Sequence, residues 1–373
     1  TIRLKLYKCL GIYLIKMKII FDHKIFWNQK FGGISRYFVN LIKKLNEEEN
    51  IDYKVISPFY KNNYLNEIDK KKVFGIFISN LLPKTSFFFK KTNEIFFKYS
   101  INFFKPDIVH TTYYNHDVCT KKPLILTVYD LIHEQISSEE NRLLLPKKKA
   151  IERANHIICI SEKTRSDLIK FYDYPIKKTS VIYLGSDHLK NIEQNKIDLK
   201  LNNKKYILFI GSREKYKNFN FLVNTLNEMK NHNLTLVCFG GKKISKKEIN
   251  KNLSNIEIKQ IFGDDNLLKE LLKNALCLVN PSKYEGFSLP NLEAMAIGCP
   301  LVCSDISVFR EICQNSAIYF DLKDKVTLID CINKLMKDEG FKTQLIKAGK
   351  LRANMFLWDN CSNQTIDIYN RFK

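Results

Sequence analysis

The chain has 373 residues, more than one ordinary domain holds; at about 150 residues per domain, two or three are expected. Hydrophobic residues make up 45% and charged residues 27%, enough to bury a core, which excludes a disordered chain and a collagen-like fibre. Sixty-one Lys and Arg against 39 Asp and Glu leave a net charge of +22. That balance points to an anionic partner: a nucleotide, a phosphorylated substrate, an anionic membrane face or nucleic acid. A coding sequence rich in A and T would give the same wealth of Lys, Asn and Ile with no selection for binding.

Residues 1–16 read as an N-terminal extension. The apolar run from Leu4 to Phe21 is interrupted by Lys5, Lys8, Lys16 and Lys18, so it is no membrane span, and it has no small-residue cleavage site. Met17 leads directly into a first strand. Short apolar runs then predict strands at 18–21, 53–57, 107–110, 124–129, 156–160 and 180–183. Helical patterns lie between them. At 34–45, Tyr37, Phe38, Leu41, Ile42 and Leu45 share one face, and Ser161 is a plausible N-cap for a helix carrying Leu168, Ile169 and Tyr172. Segment 73–104 differs: Phe74, Phe77, Phe87, Phe88, Phe89, Phe96, Phe97, Phe103 and Phe104 alternate with Lys84, Lys90, Lys91 and Lys98. It is either an interfacial membrane segment or an amphipathic helix packed on the first sheet.

Residues 185–205 are polar and read as a linker. The alternation then restarts, with strands expected at 206–210, 234–239, 276–280, 300–304 and 317–320, helices at 218–229, 267–274 and 290–297, and two terminal helices. Continuous apolar strands separated by helices imply parallel sheets covered on both faces. The expected architecture is α/β, with two Rossmann-like doubly wound domains facing a cleft, at 17–184 and 206–355. Residues 356–373 form a C-terminal helix that could cross back to the first domain. Ligands belong at the carboxyl ends of such sheets. The ten cysteines have no CxxC spacing and most sit in apolar runs, which reads as small buried hydrophobes in a reducing compartment.

The most informative stretch is PSKYEGFSLPNLEAMAIGCP at 281–300. A strand ends at Asn280-Pro281, a loop carries Glu285 and Gly286, and a helix starts at Pro290 and stops at Gly298-Cys299-Pro300. Backbone N–H groups at that helix start, aided by its dipole, form a site for phosphate oxygens. Glu293 is expected in the first turn, facing the same cleft as Glu285. Two carboxylates beside an anion hole suit a sugar nucleotide.

This stretch, with Glu285 and Glu293 seven residues apart, resembles the E-x7-E region of retaining glycosyltransferases of family 4, which have the GT-B fold. Five further blocks resemble the family in the same order: FDHKIFWNQKFGGISRYFVNLIKKL, LTVYDLIHE, ICISEKTRSDLI, YILFIGSREKYKNFNFL and SVFREICQNSAIYFD. The resemblance covers nearly the whole chain from Met17. It implies that Glu285 contacts the donor sugar and Glu293 the ribose. Lys217 matches the lysine of a basic pair that binds the diphosphate. Arg213 or Lys215 supplies the other member. Gly32 and Gly33 match a glycine loop, and Phe287, Ser288 and Leu289 supply loop N–H groups. Where many relatives have His-Asp, this chain has Tyr129-Asp130. A phenol with a pKa near 10 shuttles protons poorly, so His133 or His110 could take that role, while Asp130 keeps its place.

The chain contains no Asp-X-Asp, and no metal or other cofactor is expected; Arg, Lys and N–H groups would neutralise the leaving diphosphate. The expectation is a retaining hexosyltransferase working on a bacterial surface polysaccharide such as O-antigen, lipopolysaccharide or capsule. Its donor would be a nucleotide sugar, GDP-mannose being favoured, and its acceptor a glycan on a lipid carrier. The enzyme would be cytoplasmic and peripheral at the inner face of the cell membrane. The alternatives are a sugar-nucleotide epimerase of the same architecture and a basic nucleic-acid-binding protein. The second has no recognised motif behind it, and nucleic acid is not an expected partner.

Overall fold

The computed structural model describes residues 16–79, 85–118, 120–136, 144–190, 192, 205–229, 231, 233–245 and 255–373. Readings placed on residues 1–15, Lys84, Cys119, His232 and most of 191–204 lie outside the described residues. The chain divides into two compact units. One gathers residues up to Ile160 with Arg165–Ile182 and Asp359–Lys373; the other gathers Ser161–Thr164 and Tyr183–Trp358.

The first unit is built on a parallel sheet of β1 (Met17–Phe21), β2 (Ile51–Tyr60), β3 (Val73–Phe77), β4 (Ile108–Thr111), β5 (Leu124–Val128), β6 (His156–Cys159) and β7 (Thr179–Val181). Its order is β3-β2-β1-β4-β5-β6-β7, so the winding reverses between β1 and β4. β4, β5 and β6 are buried at every position, as expected of strands covered on both faces. Helix Gly33–Leu45 buries Tyr37, Phe38, Leu41, Ile42 and Leu45 together, the face its periodicity implied. The Phe/Lys segment holds two elements: the edge strand β3 and helix Ser86–Phe104. That helix buries Asn93, Phe97, Ser100 and Ile101, while Phe87, Phe88, Phe96, Tyr99 and Phe103 are exposed. Packing on the sheet therefore accounts for one narrow stripe and leaves most of the aromatic surface in solvent.

The second unit repeats the plan with β8 (Lys205–Ile210), β9 (Leu234–Phe239), β10 (Glu257–Ile261), β11 (Cys277–Asn280), β12 (Leu301–Ser304) and β13 (Ile318–Phe320), all parallel. Its order is β10-β9-β8-β11-β12-β13, reversing between β8 and β11. β10 was not expected: Glu257, Lys259 and Gln260 break its apolar run, which an edge position tolerates. Three terminal helices, not two, close the chain: Lys325–Lys337, Glu339–Ala353 and Trp358–Asn370. The stretch read as a linker is anchored where it begins. A Cβ on Gly185 would lie 2.3 Å from the Trp358 nitrogen, Ser186 N–H donates to the Phe356 carbonyl at 3.1 Å, and the Asp187 carboxylate accepts from Trp358 N–H at 2.9 Å. Residues 185–190 therefore belong to the second unit. The eight described cysteines are buried and reduced, as their apolar settings implied.

Candidate active site

β8 and β11 are the neighbours at which the second sheet reverses, and the loops at their carboxyl ends frame the topological switch point, where ligands bind in open α/β sheets. Asn280 ends β11 and organises its loop. Its Nδ2 donates to Ser288 Oγ at 3.0 Å and to Asn291 Oδ1 at 2.7 Å. Its Oδ1 accepts from the Ser282 backbone at 3.3 Å and from Ser282 Oγ at 2.7 Å. All four capacities of this buried amide are used, so the loop is held by a satisfied network. Ser282 is tied again through its carbonyl, which accepts from Ser304 Oγ at 2.5 Å.

Onto this frame the structure brings Lys217 and Glu285 together. Lys217 ends a 3-10 turn, Lys215–Lys217, after β8; Glu285 lies in the loop after β11. Lys217 Nζ donates to Glu285 Oε1 at 2.5 Å, and both side chains are largely buried. Ser282 Oγ lies 2.8 Å from the same oxygen and shares its single proton between it and Asn280 Oδ1. One of the three ammonium N–H groups is thus spent on Glu285. The two loops are stitched by Lys283 N–H donating to the Tyr216 carbonyl at 2.8 Å. Arg213 is nearby in sequence but differently engaged. Its guanidinium donates to the Lys242 carbonyl and covers the Phe219 ring at 5.7 Å. It borders Gly211 and Gly241, both at positive φ, and a Cβ on Gly241 would lie 2.6 Å from the Gly211 carbonyl. Lys215 points to solvent at the surface.

Helix Leu289–Ile297 starts one residue before the expected Pro290 and ends at Gly298, whose φ of 90° gives the left-handed cap. Its N-cap Ser288 has φ 77° and ψ 77°, a conformation costing a non-glycine residue about 1–3 kcal/mol, held here by the bond from Asn280. Phe287 anchors the loop between the Tyr183 and Phe356 rings, with centroids 6.2 and 6.1 Å away. The Gly286 carbonyl accepts from Ser161 Oγ at 2.6 Å and Thr164 Oγ1 at 3.2 Å. Ser161 also accepts from Thr164 N–H at 2.9 Å, the N-cap bond its sequence implied.

Glu293 lies in the second turn of its helix, not the first, because the helix begins at Leu289. It is buried, and its Oε1 lies 3.1 Å from His188 Nε2. His188 Nδ1 lies 3.1 Å from Trp358 Nε1. An indole N–H can only donate, so Nδ1 accepts and the proton sits on Nε2, directed at the carboxylate. The chain Trp358→His188→Glu293 thus fixes the tautomer and holds one carboxylate oxygen.

The remaining expected residues lie in the first unit. Gly32 caps helix Gly33–Leu45, and Gln29 fills the space its missing side chain leaves; Gln29 Oε1 would lie 2.4 Å from a Cβ there and accepts from Ser35 N–H at 3.2 Å. The Asp130 carboxylate, partly exposed, accepts from Ile132 N–H at 3.2 Å at the start of helix Ile132–Ile136. The buried Lys147 ammonium binds the Asp130 carbonyl at 2.7 Å and Glu134 at 2.9 Å. The buried Tyr129 hydroxyl donates to the Thr112 carbonyl at 3.1 Å, and burial drives its pKa far up. It is no proton shuttle. Nor is His110, a core residue between Tyr369 Oη at 2.6 Å and Thr127 Oγ1 at 3.0 Å, whose burial lowers its pKa to about 3. His133 is half-buried on helix Ile132–Ile136.

Sequence reasoning missed Asn280, Ser282 and His188. Asn280 directly before Pro281 at a strand end was a usable signal; His188 had none, because its partner is 105 residues away. Residues 31–188 match the family described as Glycosyltransferase Family 4, and residues 191–352 match Glycosyl transferases group 1. The chain is 26% identical over 312 residues to the O-antigen chain mannosyltransferase RfbU of Salmonella typhimurium, covering 79% of this chain and 84% of that protein. It is 26% identical over 235 residues to O-antigen chain mannosyltransferase B of Escherichia coli, covering 59% and 62%. Among solved structures it is similar to a sucrose-phosphate synthase from Thermosynechococcus elongatus, with TM-score 0.75 at 18% identity over 95% of this chain and 98% of that one. It is also similar to WaaG, a glycosyltransferase involved in lipopolysaccharide biosynthesis, with TM-score 0.71 at 14% identity over 94% and 99%.

Proposed function

This chain belongs to the family-4 glycosyltransferases and has their GT-B fold, and from that premise we propose that it transfers mannose from GDP-mannose, with retention, to a lipid-linked glycan of an O-antigen type. The observation that carries the reading is the Lys217–Glu285 pair at the switch point of the second sheet, beside the start of helix Leu289–Ile297. Lys217, Arg213 and the helix N–H groups take the diphosphate. Glu285 takes a sugar hydroxyl and stabilises charge near the anomeric carbon. Glu293 takes the ribose. The sugar preference rests on the two mannosyltransferase relatives. Asp130, Gly32 and Gly33 belong to the acceptor-side unit in this reading.

The leaving group's charge is met by fixed cations and dipoles, so no bound ion is required. The diphosphate leaves from the face that the acceptor hydroxyl enters and helps to take its proton, which preserves the anomeric configuration. The exposed face of helix Ser86–Phe104, with Phe87, Phe88, Phe96 and Phe103 beside Lys90, Lys91 and Lys98, supports peripheral contact with an anionic membrane carrying the acceptor. No described helix is long and apolar enough to cross a membrane.

The test is incubation with GDP-mannose and a lipid-linked glycan extract, in EDTA, with NMR of the product. The expected result is an α-linked mannoside formed without added metal. Release of a free epimerised nucleotide sugar with no acceptor would point to an epimerase. Activity seen only with Mg²⁺ or Mn²⁺ would overturn the diphosphate site as described, and a β-linked product would overturn retention.

A further inference from the structure

Lys147 carries a charge into the interior of the first unit, where its side chain is fully buried. It comes from helix Leu144–Arg153 and meets three groups. Its Nζ donates to the Asp130 carbonyl at 2.7 Å and to Glu134 Oε2 at 2.9 Å, and it lies 4.9 Å from the centre of the Tyr114 ring. Glu134, almost as buried, accepts at Oε1 from the Tyr172 hydroxyl at 2.5 Å. The Tyr114 hydroxyl donates to the same Asp130 carbonyl at 3.3 Å. Side chains from three separate stretches of the chain thus converge on the turn at Asp130.

A buried ion pair is a poor device for stability. Desolvation offsets its attraction, and an apolar pair of similar volume often folds as well. What an apolar pair cannot do is grip a carbonyl, and the grip falls where the chain needs one. Asp130 follows the end of β5 by two residues. Its carboxylate caps a helix of only five residues, Ile132–Ile136, by accepting from Ile132 N–H at 3.2 Å. So short a helix has little stability of its own. Lys147 bridges the carbonyl before that helix and the Glu134 carboxylate within it, which fixes the helix against its own cap. The Asp130 carboxylate is partly exposed, with Oδ1 4.0 Å from Nζ. Its direction therefore depends on how the Asp130 backbone is held.

We propose that Lys147 is a positioning residue for Asp130: its buried ammonium holds the turn after β5 so that the Asp130 carboxylate keeps one direction. The inference rests on the glycosyl-transfer reading above, in which Asp130 belongs to the acceptor-side unit. Lys147 lies between the blocks LTVYDLIHE and ICISEKTRSDLI and in neither, so the family resemblance does not mark it.

The test is made on the full chain carrying Lys147→Met with Glu134→Leu. This pair removes both buried charges and leaves the half-buried Tyr172 hydroxyl to water. The Ile132 amide reports on the Asp130 carboxylate directly, because it donates to it. In hydrogen exchange that amide should exchange about tenfold faster, while the amides of β5 keep their wild-type rates. The kcat for mannosyl transfer should fall about 10- to 100-fold with the donor KM unchanged, as a small misplacement away from the chemistry can do. Lys147→Gln with Glu134→Leu restores a neutral donor on a shorter side chain and should recover part of both losses. A folded Met variant with wild-type exchange at Ile132 overturns the proposal. So does faster exchange spread evenly into β5, a Gln variant no better than the Met variant, or faster exchange at Ile132 in an active enzyme whose kcat is unchanged. Should the Met variant fail to fold, the Gln variant is compared with the wild type, and unchanged exchange at Ile132 there overturns the proposal. If the wild type transfers no sugar, the glycosyl-transfer reading fails, and exchange at Ile132 alone decides whether Lys147 holds Asp130.

Discussion

At Glu285 and Lys217, one short ion pair joins the two chemical tasks of the proposed reaction. Lys217 also holds Glu285 in place, so removing either residue disturbs both the sugar and the diphosphate contacts. Glu285→Ala and Lys217→Ala should each lower kcat by about 10²–10³, as other preorganised transition-state contacts do. Steady-state transfer assays check this, and near wild-type turnover by a folded variant would remove the site. Glu293 should behave differently, because a ribose contact is made equally before and during reaction. Glu293→Ala should raise the donor KM and leave kcat nearly unchanged. His188→Ala leaves the Glu293 carboxylate without its donor and should raise the same KM by roughly tenfold, about 1.4 kcal/mol. His188→Gln, which can still donate, should recover part of it. Loss of kcat rather than a rise in KM would assign Glu293 a chemical role.

Among the elements, helix Ser86–Phe104 divides most clearly into two faces. Its inner stripe of Phe97 and Ile101 packs with Ile20, Ile56 and Val109, whereas Phe87, Phe88 and Phe103 stand in solvent. The triple variant Phe87→Ser, Phe88→Ser, Phe103→Ser should melt as the wild type does but pellet less with anionic vesicles. Salt should release the wild type, since attraction between surface charges is screened over about 10 Å at 0.1 M. Phe97→Ser should destabilise by about 3–5 kcal/mol, the cost of emptying a buried aromatic site. A triple variant that unfolds would show instead that these rings are core. The loop after β11 makes the complementary case. Asn280 carries no chemistry, yet its four hydrogen bonds place Ser282, Ser288 and, through Ser282, Glu285.

For the molecule as a whole, the response to acid concentrates in one unit, through three buried histidines. His23, His110 and His156 all lie in the first; burial, the main cause in each, lowers their pKa values to about 3, about 3 and about 4. Unfolded, each would titrate near 6.5. At pH 5 the unfolded chain therefore binds protons that the folded one rejects, and unfolding takes them up. Stability is fully present above about pH 6.5 and is lost as pH falls toward the folded values, by up to about 1.4 kcal/mol per pH unit for each imidazole. Asp22, whose pKa burial raises, opposes this with a single group. Denaturant unfolding at pH 7.5 and pH 5 should show the first unit weakening in acid. A first-unit transition unmoved between the two would mean that the three rings are solvated.

What the sequence determined by itself was everything written in contiguous residues. Apolar runs set the central strands, Pro290 and Gly298 bracketed a helix, and the Glu285–Glu293 spacing with its flanking blocks identified the family. Edge strands β3 and β10 were less legible, because an edge needs no continuous apolar run and their polar or aromatic residues suit several structures. Only the tertiary structure decided what lies between distant residues. It put Lys217 on Glu285 across 68 positions and His188 on Glu293 across 105, and it placed His110 in the core. Pairings of this kind depend on which strands become neighbours at a sheet's reversal. That is settled by how whole elements pack, and local composition carries no record of it.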